Sequence, residues 1–504
     1  MIAILKKLSA VVLITVWVTG MVFPGVALGI SIGKEKELAE EFLKIVNEKF
    51  KLIKDPFLVA YVNEVGNRVV ALLPAQPFDY HFYVIHENVY NAFAGPGGHV
   101  FINSGLIEAM ETEGELAGIL THEICHVMRR HISDRIDRST KINLASLAGM
   151  VAGVFLGGGS QIGSAVTVGS MAAGQSAQLK YSRDDEMEAD QMGLKYLDQL
   201  GYGPEGLLTV LKKIRAKQWY GSDMVPSYLS THPAVEDRIL YIDGWQATHP
   251  LDRKIGERDS RRFERARIRL AALYGDAELS LKRFAALAEQ TPNRALIRYG
   301  YGLILARNSR YSAAISEFTA VKTLDPSAGY VLSALGQSQY ALGQYAAAIS
   351  TLTSAVRESP DDPDAWFHLG RTWILLGDYA KAVDSLERVL DLYSQYPQAA
   401  AFLGEAYGKM EQLGPAHFYL GLHHKEQNNF RIATFHLKRA LELLRDPIKR
   451  EKAEAMLKEM DDEGRWGKTG PSRSGKAPQL QWTPDASLLR REPLFTRALK
   501  GGIR

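Results

Sequence analysis

The 504-residue sequence contains little cysteine, no large excess of either charge and few long apolar runs. Cys125 is the only cysteine, which excludes an intramolecular disulfide and leaves packing or a bound metal to stabilise the fold. The net charge of the whole sequence is only +3. Residues 1–29 contribute +2 and residues 463–504 contribute +6, so the segment between them is mildly acidic, with a net charge of −5. This balance argues against a nucleic-acid-binding protein, which needs a basic face on the fold itself. The scarcity of long apolar runs argues against a polytopic membrane protein.

The first residues have the pattern of an export signal. Lys6 and Lys7 precede an apolar run, Leu8–Val18, and the small residues around Ala27 and Gly29 suit a signal peptidase. We therefore predict that residues 1–29 are a cleavable signal peptide and that the mature protein is exported. An uncleaved membrane anchor is the alternative.

A second uncharged stretch covers residues 142–179, which contain no Asp, Glu, Lys or Arg. Gly157–Gln161 interrupts it, and the runs on either side are short for a membrane span of ~20 residues. The sequence predicts two helices rich in small residues, either packed on the protein or dipping into a membrane surface.

The spacing of apolar residues predicts a mainly helical first domain with a small sheet, over residues 30–250. Two aromatic and β-branched segments, His81–Ile85 and His99–Asn103, predict strands joined by a turn-rich link at residues 91–98. The expected helices are Glu35–Lys51, Pro56–Leu73, Gly114–Arg130 and Asp184–Leu200, the last of them closed by Gly201.

Beyond a linker at residues 251–258, the sequence repeats with a period of 34 residues. The repeated columns are Gly302, Gly336, Gly370 and Gly404; Tyr311, Tyr345 and Tyr379; Ala314, Ala348 and Ala382; and Pro292, Pro326 and Pro360. The pattern resembles the tetratricopeptide repeat, whose helix–turn–helix units bury their apolar faces only against neighbouring units. We expect these repeats over residues 259–445. Their concave face would hold a peptide or a protein, with a purely structural scaffold as the alternative.

The register of the repeats changes near the end of the array. Gly421 follows Gly404 by 17 residues, which is half a repeat. We expect a half-unit, then a last unit ending near Leu444, then a C-terminal helix over residues 446–462. The tail at residues 463–504 is rich in Gly, Pro, Ser and basic residues, and we predict that it is disordered.

The segment His122-Glu123-Ile124-Cys125-His126 has the form H-E-x-x-H within a predicted helix. Residues four apart lie on one helix face, so both imidazoles can reach one metal ion, with Glu123 beside it. A helix with surface histidines is the alternative. We expect Cys125 to be a small buried apolar residue rather than a thiol that binds or oxidises near a metal.

A catalytic zinc ion needs a third protein ligand and an open position. Glu186-Met187-Glu188-Ala189-Asp190 begins 60 residues after His126, and its helical spacing places Glu186 and Asp190 on one face. Glu186 can bind a metal, while Asp190 can accept a hydrogen bond from a ligand imidazole or lie near the substrate. An acidic first turn that complements the helix dipole is the alternative.

Together, these segments resemble the gluzincin metalloproteases that include HtpX and the CAAX prenyl endopeptidases. Asn91-Ala92-Phe93 with Pro96-Gly97-Gly98, before the H-E-x-x-H helix, also resembles that family. Repeats behind such a domain and a cleavable signal resemble the subfamily of periplasmic beta-barrel assembly-enhancing proteases. The resemblance covers about residues 35–445 and does not extend to the multi-pass membrane helices of HtpX.

The resemblance implies an α+β, zincin-like metalloprotease domain, mainly helical with a small sheet, followed by an all-α tetratricopeptide-repeat solenoid. It implies one zinc ion per chain, held by His122, His126 and Glu186. Glu123 would be the general base that activates water, and Asp190 a second acidic active-site residue. An extended substrate would pair with an exposed sheet edge, which we expect to be His99–Asn103.

Thr231-His232-Pro233, with Arg238 six residues after His232, resembles the Thr-His-Pro segment of the family. His232 is thereby implied either to stabilise the oxyanion or to bind zinc and close the open position, and Arg238 is a second candidate oxyanion donor. A second Thr-His-Pro segment at His249 lacks a basic residue at the same offset, so His232 is favoured.

The leading hypothesis is a periplasmic zinc endopeptidase, peripheral to the outer membrane, that degrades misfolded or stalled outer-membrane proteins and assists their assembly. Its repeats would recruit unfolded exported proteins or the outer-membrane assembly machinery, and no nucleic-acid partner is expected. The alternative is a latent protease that acts mainly as a chaperone or adaptor through its repeats.

Overall fold

The computed structural model describes residues 29–136, 144–156, 180–220, 227–249, 260–394, 396 and 398–462. The predicted linker, the predicted basic tail, the predicted signal peptide up to residue 28 and the second half of the 142–179 stretch lie outside these residues. Within the described part of the chain, no helix is both long and apolar enough to cross a membrane.

The chain divides into two packing units, residues 1–308 and residues 309–504. The described helices of the first unit are α1 (Ile32–Lys49), α2 (Pro56–Val70), α3 (Ser104–Ala109), α4 (Glu113–Met128), α5 (His131–Arg135), α6 (Leu144–Leu156), α7 (Arg183–Leu200), α8 (Glu205–Tyr220), α9 (Ser227–Thr231), α10 (Val235–Thr248), α11 (Ser260–Tyr274), α12 (Ala277–Gln290) and α13 (Ala295–Arg307). Its strands are β1 (His81–Ile85), β2 (Ala92–Ala94) and β3 (His99–Asn103), with a 3-10 turn at Pro96–Gly98.

The described helices of the second unit are α14 (Tyr311–Leu324), α15 (Leu332–Ala341), α16 (Tyr345–Glu358), α17 (Pro363–Leu375), α18 (Tyr379–Leu392), α19 (Ala399–Lys409), α20 (Leu413–Glu426), α21 (Phe430–Leu443) and α22 (Pro447–Asp462), with a 3-10 turn at Gly329–Val331. The boundary after Asn308 leaves α11–α13, which the 34-residue period assigns to the repeats, in the first unit. Arg269 on α11 is ion-paired with Asp55 before α2, at 2.7 Å. The domain limits drawn from the repeat period remain a prediction.

The two helices that carry the metal-binding motifs are held at their ends by local interactions. The Thr112 side chain accepts a hydrogen bond from the Glu115 backbone N–H at the start of α4. Ser182 and Asp185 form a reciprocal capping box at the start of α7. Gly201 closes α7 in the left-handed conformation, at φ 74°, as its position after the periodic segment predicts. Local sequence therefore sets the length and phase of both helices.

The sheet has the strand order β1-β3-β2, with β1 parallel and β2 antiparallel to β3. Both predicted strands have their predicted bounds. However, β3 is the central strand and is buried along its whole length, so the expectation that His99–Asn103 is an exposed edge is wrong. The segment at residues 91–98 is also more than a turn, because Ala92–Ala94 forms the edge strand β2. That edge strand packs against α4.

The first half of the uncharged 142–179 stretch forms α6, which packs on α1 rather than leaving the protein surface. Leu147, Val151 and Phe155 of α6 lie in one buried cluster with Leu38 and Phe42 of α1. Cys125 is fully buried, as expected for a small apolar residue.

The change of register in the repeats corresponds to one helix that serves two neighbours. A Cβ atom at Gly404 of α19 would lie 2.7 Å from the Cγ of Leu420, and one at Gly421 would lie 2.7 Å from Leu437. Leu420 and Gly421 are both on α20. This helix therefore completes the unit that begins with α19 and also begins the unit that α21 completes, which confirms the predicted half-unit.

Candidate metal centre

Four buried side chains from three parts of the first unit meet at one point. His122 and His126 lie one turn apart on α4, Glu186 lies in the first turns of α7, and His232 directly follows α9. The relative exposure of each is 1% or less. One potential ligand atom from each lies within 4.8 Å of the other three, and no second group of this kind occurs among the described residues.

The separations of the potential ligand atoms suit a tetrahedral divalent metal. The two Nε2 atoms of His122 and His126 are 3.0 Å apart. The Glu186 carboxylate oxygens lie 3.5 Å from Nε2 of His122 and 3.4 Å from Nε2 of His126. Ligands about 2.1 Å from a tetrahedral ion are roughly 3.3 Å from one another. The donor set of imidazole nitrogens and a carboxylate therefore fits a divalent metal of the zinc type.

Asp190 orients the first imidazole. His122 Nδ1 lies 2.9 Å from Asp190 Oδ1, so this nitrogen donates a hydrogen bond, and in the neutral imidazole Nε2 keeps its lone pair for a metal. Burial and Arg238 disfavour the charged imidazolium, but Asp190 and Glu186 outweigh them and raise the pKa of His122 to about 9. In the metal-free protein, His122 is therefore protonated at neutral pH, and metal binding there must release a proton.

The other two predicted ligands are in the protonation state that a metal requires. Burial lowers the pKa of His126 well below its usual value, so this imidazole is neutral. Burial opposes ionisation of Glu186, but His232 and Arg238 outweigh it and hold the pKa of this carboxyl well below its usual value.

Glu123 is the buried acid whose oxygens are left without partners. Neither carboxylate oxygen has a hydrogen-bond partner among the described residues, and Oε1 lies 3.5 Å from Nε2 of His232. Burial raises the pKa of its carboxyl. A buried carboxyl that lacks a donor and borders the cluster is suited to hold a water molecule and accept its proton.

Arg238 forms hydrogen-bonded ion pairs with two carboxylates. Its Nε and Nη2 donate to the two oxygens of Asp190 at 2.7 and 2.8 Å, and its Nη1 donates to Glu186 Oε2 at 2.6 Å. These bonds fix the carboxylate of Glu186 and compensate the negative charge of Asp190. They use three of the five N–H groups of the guanidinium, so a role of Arg238 as an oxyanion donor stays a prediction.

His232 lies inside the cluster, whereas His249 lies outside it. The Nδ1 atom of His232 is 3.0 Å from Glu186 Oε1, and its ring stacks on Tyr228 at a centroid distance of 4.2 Å. His249 is exposed and stacks on Trp245. His232 is thus close to both Glu186 and Glu123.

Sequence reasoning missed Tyr181 as a neighbour of His126, and it left His131 either on the helix surface or behind the metal ligands. Tyr181 stacks on the His126 ring at a centroid distance of 3.7 Å. His131 Nδ1 lies 2.8 Å from His126 Nδ1. On a continuous helix, a five-residue offset would place His131 about 140° around the axis from His126. Arg130 has φ 57°, and this left-handed residue separates α4 from α5. No periodicity in the sequence predicts that break.

Residues 57–246, which include every residue of the cluster, match the profile of peptidase family M48. The chain contains a peptidase family M48 domain. Residues 257–329 and 333–400 match the tetratricopeptide repeat. The predicted fold class, an α+β metalloprotease domain that is mainly helical with a small sheet, followed by an all-α repeat region, is confirmed.

Several curated proteins are similar to parts of the chain. The beta-barrel assembly-enhancing protease of Yersinia pestis is 29% identical over 292 residues, which cover 56% of this chain and 59% of that protein. The protein of the same name from Escherichia coli K12 is 30% identical over 211 residues, which cover 42% of this chain and 43% of that protein. The mitochondrial metalloendopeptidase OMA1 of Schizosaccharomyces pombe is 26% identical over 219 residues, covering 43% and 62%. The chain spans about half the length of the curated relatives it matches.

Proposed function

We propose that the protein is a zinc-dependent endopeptidase with one zinc ion per chain, held by His122, His126 and Glu186. The observation that carries this proposal is the convergence of these three side chains beside Glu123, a buried carboxyl that has no hydrogen-bond partner among the described residues. The M48 domain and the names of the relatives support the same activity.

The residues of the site have separable roles in this proposal. When bound, a zinc ion supplies Lewis acidity, which acidifies water and polarises a carbonyl group. Glu123 accepts the proton of the attacking water and delivers it to the leaving amine. Asp190 holds His122 in the tautomer that directs Nε2 to the centre, and Arg238 holds Glu186. Burial of all these groups strengthens their electrostatic interactions.

The edge strand β2 lies beside the metal centre, but all three of its residues are buried. Gly95 N–H donates to His99 O and Asn103 N–H donates to Asn91 O, so these groups point toward β3. By the alternation of an antiparallel ladder, the N–H and C=O groups of Ala92 and Ala94 point away from β3. The Ala94 carbonyl is 3.4 Å from the hydroxyl of Tyr181, whose ring covers His126. A peptide could therefore pair with this edge and run past the metal site only if Tyr181 moved away from Ala94.

We further propose that the substrates are misfolded or stalled outer-membrane proteins, and that the protein also assists their assembly. The export signal predicted at residues 1–29 would place the mature protein in the periplasm, peripheral to the outer membrane. The tetratricopeptide repeats would bind unfolded exported proteins or the assembly machinery. The names of the relatives support this assignment. N-terminal sequencing of the mature protein tests the cleavage of the signal.

A second candidate function is a latent protease that acts mainly as a chaperone or adaptor through its repeats. The location of His232 favours it. This imidazole lies among the predicted ligands, 3.0 Å from Glu186, and can supply a fourth ligand that closes the open position. A closed tetrahedral site is structural rather than catalytic.

Casein cleavage by the mature protein separates these functions. We expect slow cleavage by the wild type, none by Glu123→Gln and faster cleavage by His232→Ala, because removal of the fourth ligand would open the site. His249→Ala is the matched control, and its rate should equal that of the wild type. If His232→Ala is as inactive as Glu123→Gln, His232 serves the transition state instead. Retained client binding by Glu123→Gln, together with an inactive wild type, would favour the chaperone function.

A further inference from the structure

His126 is backed by a chain of side chains that leads away from the metal centre to the surface. His126 Nδ1 is 2.8 Å from His131 Nδ1, and His131 Nε2 is 3.1 Å from Glu188 Oε2. His131 is buried, while the Glu188 side chain is 39% exposed and is also ion-paired with Arg129 at 2.8 Å. This series of side chains therefore has a buried inner end and a solvated outer end.

The protons of this chain have one consistent assignment when a metal is bound. A neutral His126 that binds through Nε2 must carry its proton on Nδ1. His126 Nδ1–H then donates to His131 Nδ1, which leaves the His131 proton on Nε2. That N–H donates to Glu188. Burial opposes ionisation of this carboxyl, but His131 and Arg129 together outweigh it and lower its pKa below the usual value. Each ring nitrogen of His126 and His131 then makes one interaction, as a donor, an acceptor or a metal ligand.

We propose that His131, backed by Glu188, is a positioning residue that fixes the tautomer and ring orientation of the metal ligand His126. This inference rests on the proposed metalloprotease function, because it concerns the same site. His122 is held directly by the carboxylate of Asp190 at 2.9 Å. Among the described residues, no carboxylate contacts Nδ1 of His126, and His131 supplies the acceptor in its place. Loss of such outer partners lowers metal affinity by roughly 10–100-fold.

Two substitutions of similar size separate the two ends of the His131 ring. The amide of asparagine lies near the position of the imidazole Nδ1, so His131→Asn keeps an acceptor for His126 and loses the contact to Glu188. The longer amide of glutamine lies near the position of Nε2, so His131→Gln keeps Glu188 and loses the acceptor. If His131 orients His126, His131→Asn should therefore retain zinc binding better than His131→Gln.

The experiment measures zinc affinity of the mature full-length protein by competition with a chromogenic chelator. We expect His131→Gln to lower the affinity by roughly 10–100-fold and His131→Asn by about threefold or less. Arg129→Gln is the control, since it removes the exposed ion pair of Glu188 and leaves the His126–His131 contact; its affinity should equal that of the wild type. Thermal unfolding of each metal-free variant identifies any variant that fails to fold.

A second readout is the visible absorption spectrum of the cobalt-substituted protein, which reports ligand geometry. The expected spectrum is altered in His131→Gln and unchanged in His131→Asn. The proposal would be overturned if the two variants had equal zinc affinities, whether both like the wild type or both reduced. Equal affinities would mean that His131 only fills space, because such a packing role does not depend on which ring position is replaced. An absence of casein cleavage by the wild type would instead contradict the proposed function, and the affinity comparison would still decide the role of His131.

Discussion

Replacement of Arg238 by methionine is expected to destabilise the metal-free protein strongly. Arg238 is 1% exposed and makes three hydrogen bonds of 2.6 to 2.8 Å to the carboxylates of Asp190 and Glu186. Methionine fills a similar volume but donates no hydrogen bond. The substitution therefore leaves two carboxylates in a buried site that has lost its guanidinium.

The magnitude follows from the type of contact that is lost. Removal of one partner from a buried ion pair costs about 3–5 kcal/mol, because the remaining charge stays buried. His122 still contacts Asp190 at 2.9 Å, so part of the compensation survives, and we expect a loss of about 3–5 kcal/mol rather than the sum of three hydrogen bonds. Without Arg238, burial raises the folded-state pKa of both carboxyls. The destabilisation should therefore be largest at neutral pH and should shrink as the pH falls through these raised pKa values.

Scanning calorimetry of the metal-free mature protein measures this loss as a lower melting temperature. Arg215→Met is the matched control, because Arg215 forms an exposed ion pair with Glu236 at 2.8 Å, and it should cost less than about 1 kcal/mol. Zinc should restore part of the stability of Arg238→Met, since a cation would compensate the Glu186 carboxylate. Equal melting temperatures for the two variants would refute the reasoning that Arg238 compensates buried charge.

Three further predictions follow from the same structure. Removal of the metal by a chelator should abolish casein cleavage and lower the melting temperature, and added zinc should restore both; a chelated protein that still cleaves casein would contradict the metal assignment. Gly206→Ala should destabilise the protein by more than about 2 kcal/mol in urea unfolding, because the added Cβ would lie 2.1 Å from the Gly114 carbonyl oxygen. Gly149 faces open space, so Gly149→Ala should be neutral or slightly stabilising. Burial and the charge of His81 lower the pKa of His99 to about 4, so between pH 6.5 and 4 the unfolded state binds a proton that the folded state does not. The free energy of unfolding should therefore fall by roughly 3 kcal/mol across that range. Urea unfolding at several pH values should show a weaker dependence of this free energy on pH for His99→Asn than for the wild type.

The strand and helix bounds near the site could be read from local sequence, but the sheet topology could not. The segments His81–Ile85 and His99–Asn103 have the composition of strands and form β1 and β3. Strand propensity does not say which strands are neighbours, so the central position of β3 was not predictable. β2 was missed because it has only three residues and is followed by Gly95 and Pro96, which favour a turn.

Helical periodicity also has a limit at the site itself. It correctly brought His122 and His126 onto one face of α4, and Glu186 and Asp190 onto one face of α7. It gave no reason to connect His131 with His126, because the left-handed residue Arg130 ends the helix between them.

Spacing within one element was enough to predict the two histidines of the H-E-x-x-H helix, the paired acids of α7, the Gly201 cap and the 34-residue period of the repeats. How these elements meet depends on their packing in the folded protein. The contacts of His232 and Arg238 with Glu186 join residues 46 and 52 positions apart, and their geometry depends on how α7, α9 and α10 pack. Packing therefore made Arg238 a partner of two buried carboxylates, and it placed His232 among the predicted metal ligands. The physical reason is that periodicity fixes the direction of a side chain relative to its own helix axis, whereas the partner that it meets depends on the packing of the whole unit.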